Sequence, residues 1–262
     1  MLFDLRGKRK RFIQVIYALL AVLMGGGLIF FGIGSDVQGG LFDAFSDQSG
    51  STASFADEAD DVEEKLETQP NNENLLAQLI RTRYSAGNAG IEVDETGQQS
   101  VTNEAREEFE KAADAWDRYL KAAGQKPDPN LALLAANVSF LLAQTSSTAD
   151  EADANLKAAA DAQEIVAKAR PNVGTLSTLA TYAYYSLDFE AGDAARDRAV
   201  AESPKPRRKA IERQLESIRK AAKVFEKQAE AARKASAGKK GEALENPLGG
   251  LSGGGSGAAP AP

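Results

Sequence analysis

LSTLATYAYYSLDFEAGDAARDRAVAESP, residues 176–204, is the stretch whose reading decides the fold. Its apolar residues fall at helical spacing, with Leu176, Leu179 and Ala180 in a first helix and Ala199 in a second. Asp188-Phe189 makes the turn between a helix over 176–187 and one over 189–203, and Pro204 ends the second. No alternating run is long enough for a strand. One such helix pair cannot bury its own apolar face, so about three or more pairs must stack.

The same periodicity continues upstream. Asn71 to Gly87 carries Leu75, Leu76, Leu79, Ile80 and Tyr84 on its buried side, and Glu104 to Ala123 carries Phe109, Ala112, Trp116, Tyr119 and Leu120. Asp128-Pro129 opens a helix through Ala143, and Thr145–Thr148 breaks it. Ala149 to Arg170 follows, with Leu156, Ala159, Ala160, Ile165 and Val166 inward. A shorter helix with Ala59, Val62 and Leu66 on one face ends at Pro70, with Ser54 as its expected N-cap and Asp57 in its first turn. Residues 89–103 lack helical periodicity and read as a loop inserted between helices. Downstream, Ile211, Leu215, Ile218, Ala222, Phe225, Ala229 and Ala232 alternate by four and three. That narrow stripe suits one neighbouring helix, so residues 205–237 form a basic capping helix whose distal part projects or pairs with another chain. The fold class is all-α.

Residues 176–204 resemble a tetratricopeptide repeat over their whole length. Leu176 stands at the first large position, Leu179-Ala180 at the leucine-glycine place, and Ala199 and Pro204 at the closing alanine and proline. Two positions depart from the pattern: Gly192 replaces an alanine and Arg196 an aromatic. Leu76, Leu79, Tyr84 and Gly87 match the first helix of an earlier unit, and Ala112, Trp116 and Tyr119 its second, displaced by the 89–103 insertion. A middle unit matches through Leu131, Leu134, Ala135, Ala159, Val166 and Pro171, and residues 55–69 stand as a leading half-repeat. The resemblance covers residues 55–204 and implies an α-solenoid. It also implies that the inner faces of the first helices bind peptides or partner helices: Asn74, Ala77, Arg81 and Tyr84 in the first unit, and Ser177, Thr181, Tyr184 and Tyr185 in the last. The lysine and asparagine set with which some relatives clamp a terminal carboxylate is not reproduced, since Arg81 is its single cation.

The N-terminal portion reads as an anchor. Phe12 to Ile33, FIQVIYALLAVLMGGGLIFFGI, holds no charge, and as a helix is about 33 Å long, enough for a hydrocarbon core of about 30 Å. Arg6, Lys8, Arg9, Lys10 and Arg11 precede it, while Asp36, Asp43, Asp47, Asp57 and Glu58 follow before any cation. Basic flanks stay cytoplasmic, so residues 1–11 are expected inside and everything beyond residue 34 outside the cell membrane. The apolar run exceeds that of a signal peptide, and Gly34-Ser35-Asp36-Val37 offers no convincing cleavage site. Ala21 and Gly25 form a small-xxx-small pair through which a second membrane helix could approach. Residues 34–54 read as a flexible tether and 238–262, rich in Gly, Ser, Ala and Pro, as a disordered tail.

Composition narrows the function. The 262 residues contain neither cysteine nor histidine. Disulfides, thiolate metal sites, thiol catalysis and the Ser-His-Asp arrangement are therefore excluded, and no enzyme, cofactor or metal is expected. Ser217-x-x-Lys220 and Ser236-x-x-Lys239 are chance matches to a nucleophile pattern, without partner motifs. Residues 36–204 carry 13 basic and 31 acidic side chains, whereas 205–240 carry 13 basic and four acidic. The basic helix reads as a solvated face or a lipid contact. Nucleic acid is not expected, because Phe225 is its only ring.

An N-terminal anchor followed by such repeats is similar in layout to the ancillary subunit of the bacterial Sec translocon. That implies an extracytoplasmic adaptor that binds peptide or protein partners during export or envelope protein folding. The alternative is a structural subunit of a membrane or envelope complex that binds no client.

Overall fold

The computed structural model describes residues 51–93 and 99–237. Among the described residues eight α-helices follow in order: α1 (Thr52–Thr68), α2 (Glu73–Ala89), α3 (Asn103–Ala123), α4 (Pro129–Thr145), α5 (Ala149–Ala169), α6 (Val173–Tyr185), α7 (Phe189–Glu202) and α8 (Arg208–Ala237). The all-α reading holds. The expected membrane span 12–33, most of the tether and the tail 238–262 lie outside the described residues. Among those described, no helix is long and apolar enough to cross a membrane.

Side-chain caps set most boundaries. Ser51, Asn72, Thr102, Asp128, Thr148, Asn172 and Asp188 each accept a hydrogen bond from a first-turn backbone N–H, satisfying donors that the helix leaves unpaired. Asn172 and Thr175 bond reciprocally, so α6 starts three residues before the expected Leu176. Ser51, not Ser54, caps α1, which shortens the expected tether at its end. The turn between α6 and α7 is closed by Leu187, which takes the left-handed conformation at φ 63° while the Asp188 N–H donates to the Ala183 carbonyl at 2.9 Å.

The segment expected to be a plain loop contains a hairpin. β1 (Ile91–Val93) pairs antiparallel with β2 (Gln99–Val101), Ile91 opposite Val101. Strands of three residues are too short for alternation to register in sequence. What holds them is tertiary: Ile91 and Val101 rest on the core that α2 and α3 share.

Each helix packs on the next, while α4 also touches α2 and α8 also touches α6. One core runs from Ala59, Val62 and Leu66 through Phe109 and Leu131 to Val166; a second joins Leu176, Tyr184, Ala199, Ile211, Leu215 and Ala222. They meet where Phe140 stacks on Tyr182 at 4.8 Å between centroids. Burying each large side chain contributes about 1.5–3 kcal/mol. The buried alanines at 112, 132, 136, 159, 180 and 199 let the helices approach. Glycine serves a related purpose where a helix meets an aromatic ring. A Cβ at Gly87 would stand 2.6 Å from a Phe109 ring carbon, and one at Gly192 2.5 Å from the Tyr184 ring.

Candidate functional site: a polar cleft and a pinned cap

A cleft of about 460 Å³ opens between α2 and the start of α4. Asn74, Ala77, Gln78 and Arg81 line it at helical spacing along α2, with Glu73 at one end; Tyr119, Asp128 and Leu131 form the opposite wall. The wall is built by capping. Asp128 starts α4, and its own N–H donates to the Tyr119 hydroxyl at 3.0 Å. Arg81 faces Asp128 at 3.8 Å, and both remain partly exposed. A pair that loose contributes little to stability and leaves the guanidinium able to turn to another acceptor. The amides of Asn74 and Gln78 both donate and accept, as an extended backbone requires.

Three of the residues expected to bind a partner, Asn74, Ala77 and Arg81, meet in this cleft. The others do not. Tyr84 is buried a turn further on, tilted against Phe109 at 6.2 Å. Ser177 and Tyr185 are buried, and Tyr184 is fully enclosed at 0% exposure. Thr181 is half-buried, and its hydroxyl donates to the Ser177 carbonyl at 2.9 Å. The expectation of a tyrosine-lined groove on the last unit is thus corrected: α8 covers α6 and α7, and those rings are core. Burial raises the Tyr185 pKa to about 12, and Tyr184 is raised further, first by burial and then by its bond to Asp193.

That bond belongs to a network that joins α6, α7 and α8. The Tyr184 hydroxyl donates to Asp193 at 2.9 Å, and Arg219 of α8 donates to both Asp193 oxygens at 2.8 and 2.9 Å. Arg196 reaches Asp193 at 2.9 Å and Glu216 of α8 at 3.5 Å. Arg219 and Lys223 also lie over the Phe189 ring, at 5.9 and 5.6 Å. The structure gives both Gly192 and Arg196 a role. Gly192 makes room for Tyr184, and Arg196 ties α7 to the capping helix.

The Asp193 carboxyl is held below its ordinary range, chiefly by the Arg219 hydrogen bond, against the opposing effect of burial. A lowered folded-state pKa gives stability that is present above the unfolded value of 3.8 and is lost as pH falls through the folded value. Thermal melts taken from about pH 5 down to about pH 3 should therefore fall more steeply for the native chain than for Asp193→Asn. Equal slopes would remove Asp193 from the acid response.

A second network ties α1, α2 and α3. Arg83 is 1% exposed and donates to Glu108 at 2.9 Å, Asp60 at 2.5 Å and Glu63 at 2.9 Å. Lys111 bonds the other Glu108 oxygen at 2.7 Å. Burial opposes the Arg83 charge, but its bonds to Asp60 and Glu108 together with the nearby charges of Glu108 and Glu63 outweigh it, and its pKa is raised. Arg106 likewise joins α3 to the Thr145 carbonyl at 2.6 Å and to Glu151 of α5.

Among the described residues no group of acidic side chains is arranged to hold a metal ion. No protein-family model matches the chain, and comparison with curated proteins and with solved structures gave no match either.

Proposed function

We propose that the chain is a membrane-tethered, non-enzymatic adaptor of tetratricopeptide type, and that the α2–α4 cleft holds an extended segment of a protein partner on the extracytoplasmic side. In this reading residues 12–33 keep the helical stack beside the bilayer, where it assists export or envelope protein folding. The observation that carries the proposal is the convergence of Asn74, Gln78 and the loosely paired Arg81 on one open cleft. Amides suit a backbone, and a loosely held guanidinium suits a carboxylate or carbonyl. The successive packing of the helices supports the repeat reading.

A photo-crosslinker at Asn74 in the full chain, in its own membrane, tests this. Several protein partners should be captured, and Gln78→Trp, which fills the cleft from an exposed position, should lower the yield about tenfold or more. A single stoichiometric product would point instead to a structural subunit, and no product would remove the cleft from partner binding.

A further inference from the structure

The two ends of the helical stack differ in a complementary way. α8 packs on α7 and α6 as α4 packs on α3 and α2. It therefore stands as the first helix of a further pair whose second helix the described chain does not supply. α1 packs on α2 as α3 packs on α4, and so stands as the second helix of a pair whose first helix the described chain does not supply.

The outward faces of these two helices carry opposite charge. On α1, Asp57, Asp61 and Glu64 are exposed at i, i+4 and i+7, opposite the buried Ala59, Val62 and Leu66. On α8, Lys209, Arg213, Lys220 and Lys227 are exposed along one face, with Val224 among them at 55% exposure. The buried Ile211, Leu215 and Ala222 point the other way. Each face lacks what the other offers: among the described residues α8 has no following helix and presents cations, while α1 has no preceding helix and presents carboxylates.

We propose that the chain associates head-to-tail with a second copy of itself, the basic outer face of α8 docking on the acidic outer face of α1 of the next copy. α1 of the second copy then takes the position after α8 that α3 takes after α2. The interface is heterologous, so it extends into open chains instead of closing as a dimer. A contact built on one helix pair is small against the roughly 1,200–2,000 Å² of a stable complex. The association is therefore weak, salt-dependent and favoured by confinement at high local concentration. This inference rests on the two end helices and not on the proposed cleft, and none of the residues it uses lines that cleft.

The test is sedimentation of the full chain, with detergent present, across protein concentration at about 20 mM and about 500 mM salt, where screening lengths differ severalfold. Average mass should climb steadily with concentration at low salt and fall back to the monomer at high salt. The variant Asp57→Lys/Asp61→Lys/Glu64→Lys and the variant Lys209→Glu/Arg213→Glu/Lys220→Glu should each associate at least tenfold more weakly. Mixing the two should restore association, because each then offers the face the other needs. A native chain that stays monomeric at low salt overturns the proposal. So does a single-face variant that associates like the native chain, or a mixture that stays monomeric while both variants keep native helicity. Binding of the native chain to vesicles rich in anionic lipid, lost in the α8 variant and unaccompanied by self-association, would assign the basic face to a membrane and likewise overturn it. Should a variant fail to fold, the salt and concentration series on the native chain still decides.

Discussion

Replacing Arg83 by methionine should destabilise the chain by about 3–5 kcal/mol, because it removes the cation and leaves its buried partner behind. Glu108 is 6% exposed, and its carboxylate keeps only Lys111, from its own helix. Asp60 and Glu63 on α1 lose their link to α2 as well. For a folded portion of this size, that corresponds to a melting temperature lower by roughly 10 °C. The partner variant discriminates the cause. Where Glu108→Leu accompanies Arg83→Met, no charge is left buried alone, and most of the loss should return, since apolar replacement of a buried ion pair is often neutral. A double variant as unstable as Arg83→Met alone would show that the guanidinium acts by packing α1 to α3 and not by neutralising Glu108.

Tyr184→Ala should cost about 3–5 kcal/mol, the range for removing a large, fully buried ring. The loss is shared between the cavity and the Asp193 network, so Tyr184→Phe, which removes only the hydroxyl, should cost about 1 kcal/mol. Gly192 gives the sharper test. In the native chain, Gly192→Ala places a Cβ 2.5 Å from the ring, and the resulting overpacking should cost about 1–3 kcal/mol. In the Tyr184→Ala background that clash is gone, and the same substitution should stabilise by about 0.5–1 kcal/mol, as alanine does over glycine inside a helix. Denaturant melts of the four chains give both signs. If Gly192→Ala costs the same in both backgrounds, the ring is not what glycine accommodates.

The helices were legible because their signals are local. Leu75, Leu76, Leu79 and Ile80 recur at helical spacing, as do Phe109, Ala112, Trp116 and Tyr119, and Pro129 sits where a missing N–H costs nothing. The hairpin was not legible, since three-residue strands show no alternation and Ile91 and Val101 are held by a neighbour. The candidate site followed the same division, with three of the eight expected residues lining the cleft. Asn74, Ala77 and Arg81, expected to bind a partner because of the resemblance to a tetratricopeptide repeat, do line an open cleft. Tyr184 and Tyr185 could not be placed from sequence, because their burial depends on how α7 and α8 pack on α6, and nothing within residues 173–185 records that packing. Gly192 and Arg196 carried a signal that could have been read: both broke the repeat pattern on the helix that α8 covers.

By itself the sequence determined which segments are helical, that they pair in succession, and that the chain is acidic in its middle and basic near its end. Periodicity, capping and charge belong to residues a few places apart, so they survive without a fold. The tertiary structure alone decided that Tyr184 and Tyr185 are core, that Arg83 lies buried among three carboxylates, and that α8 seals the last helix pair. Those outcomes join residues some 20 or more positions apart. Contacts at that separation arise only when one helix face excludes water from another.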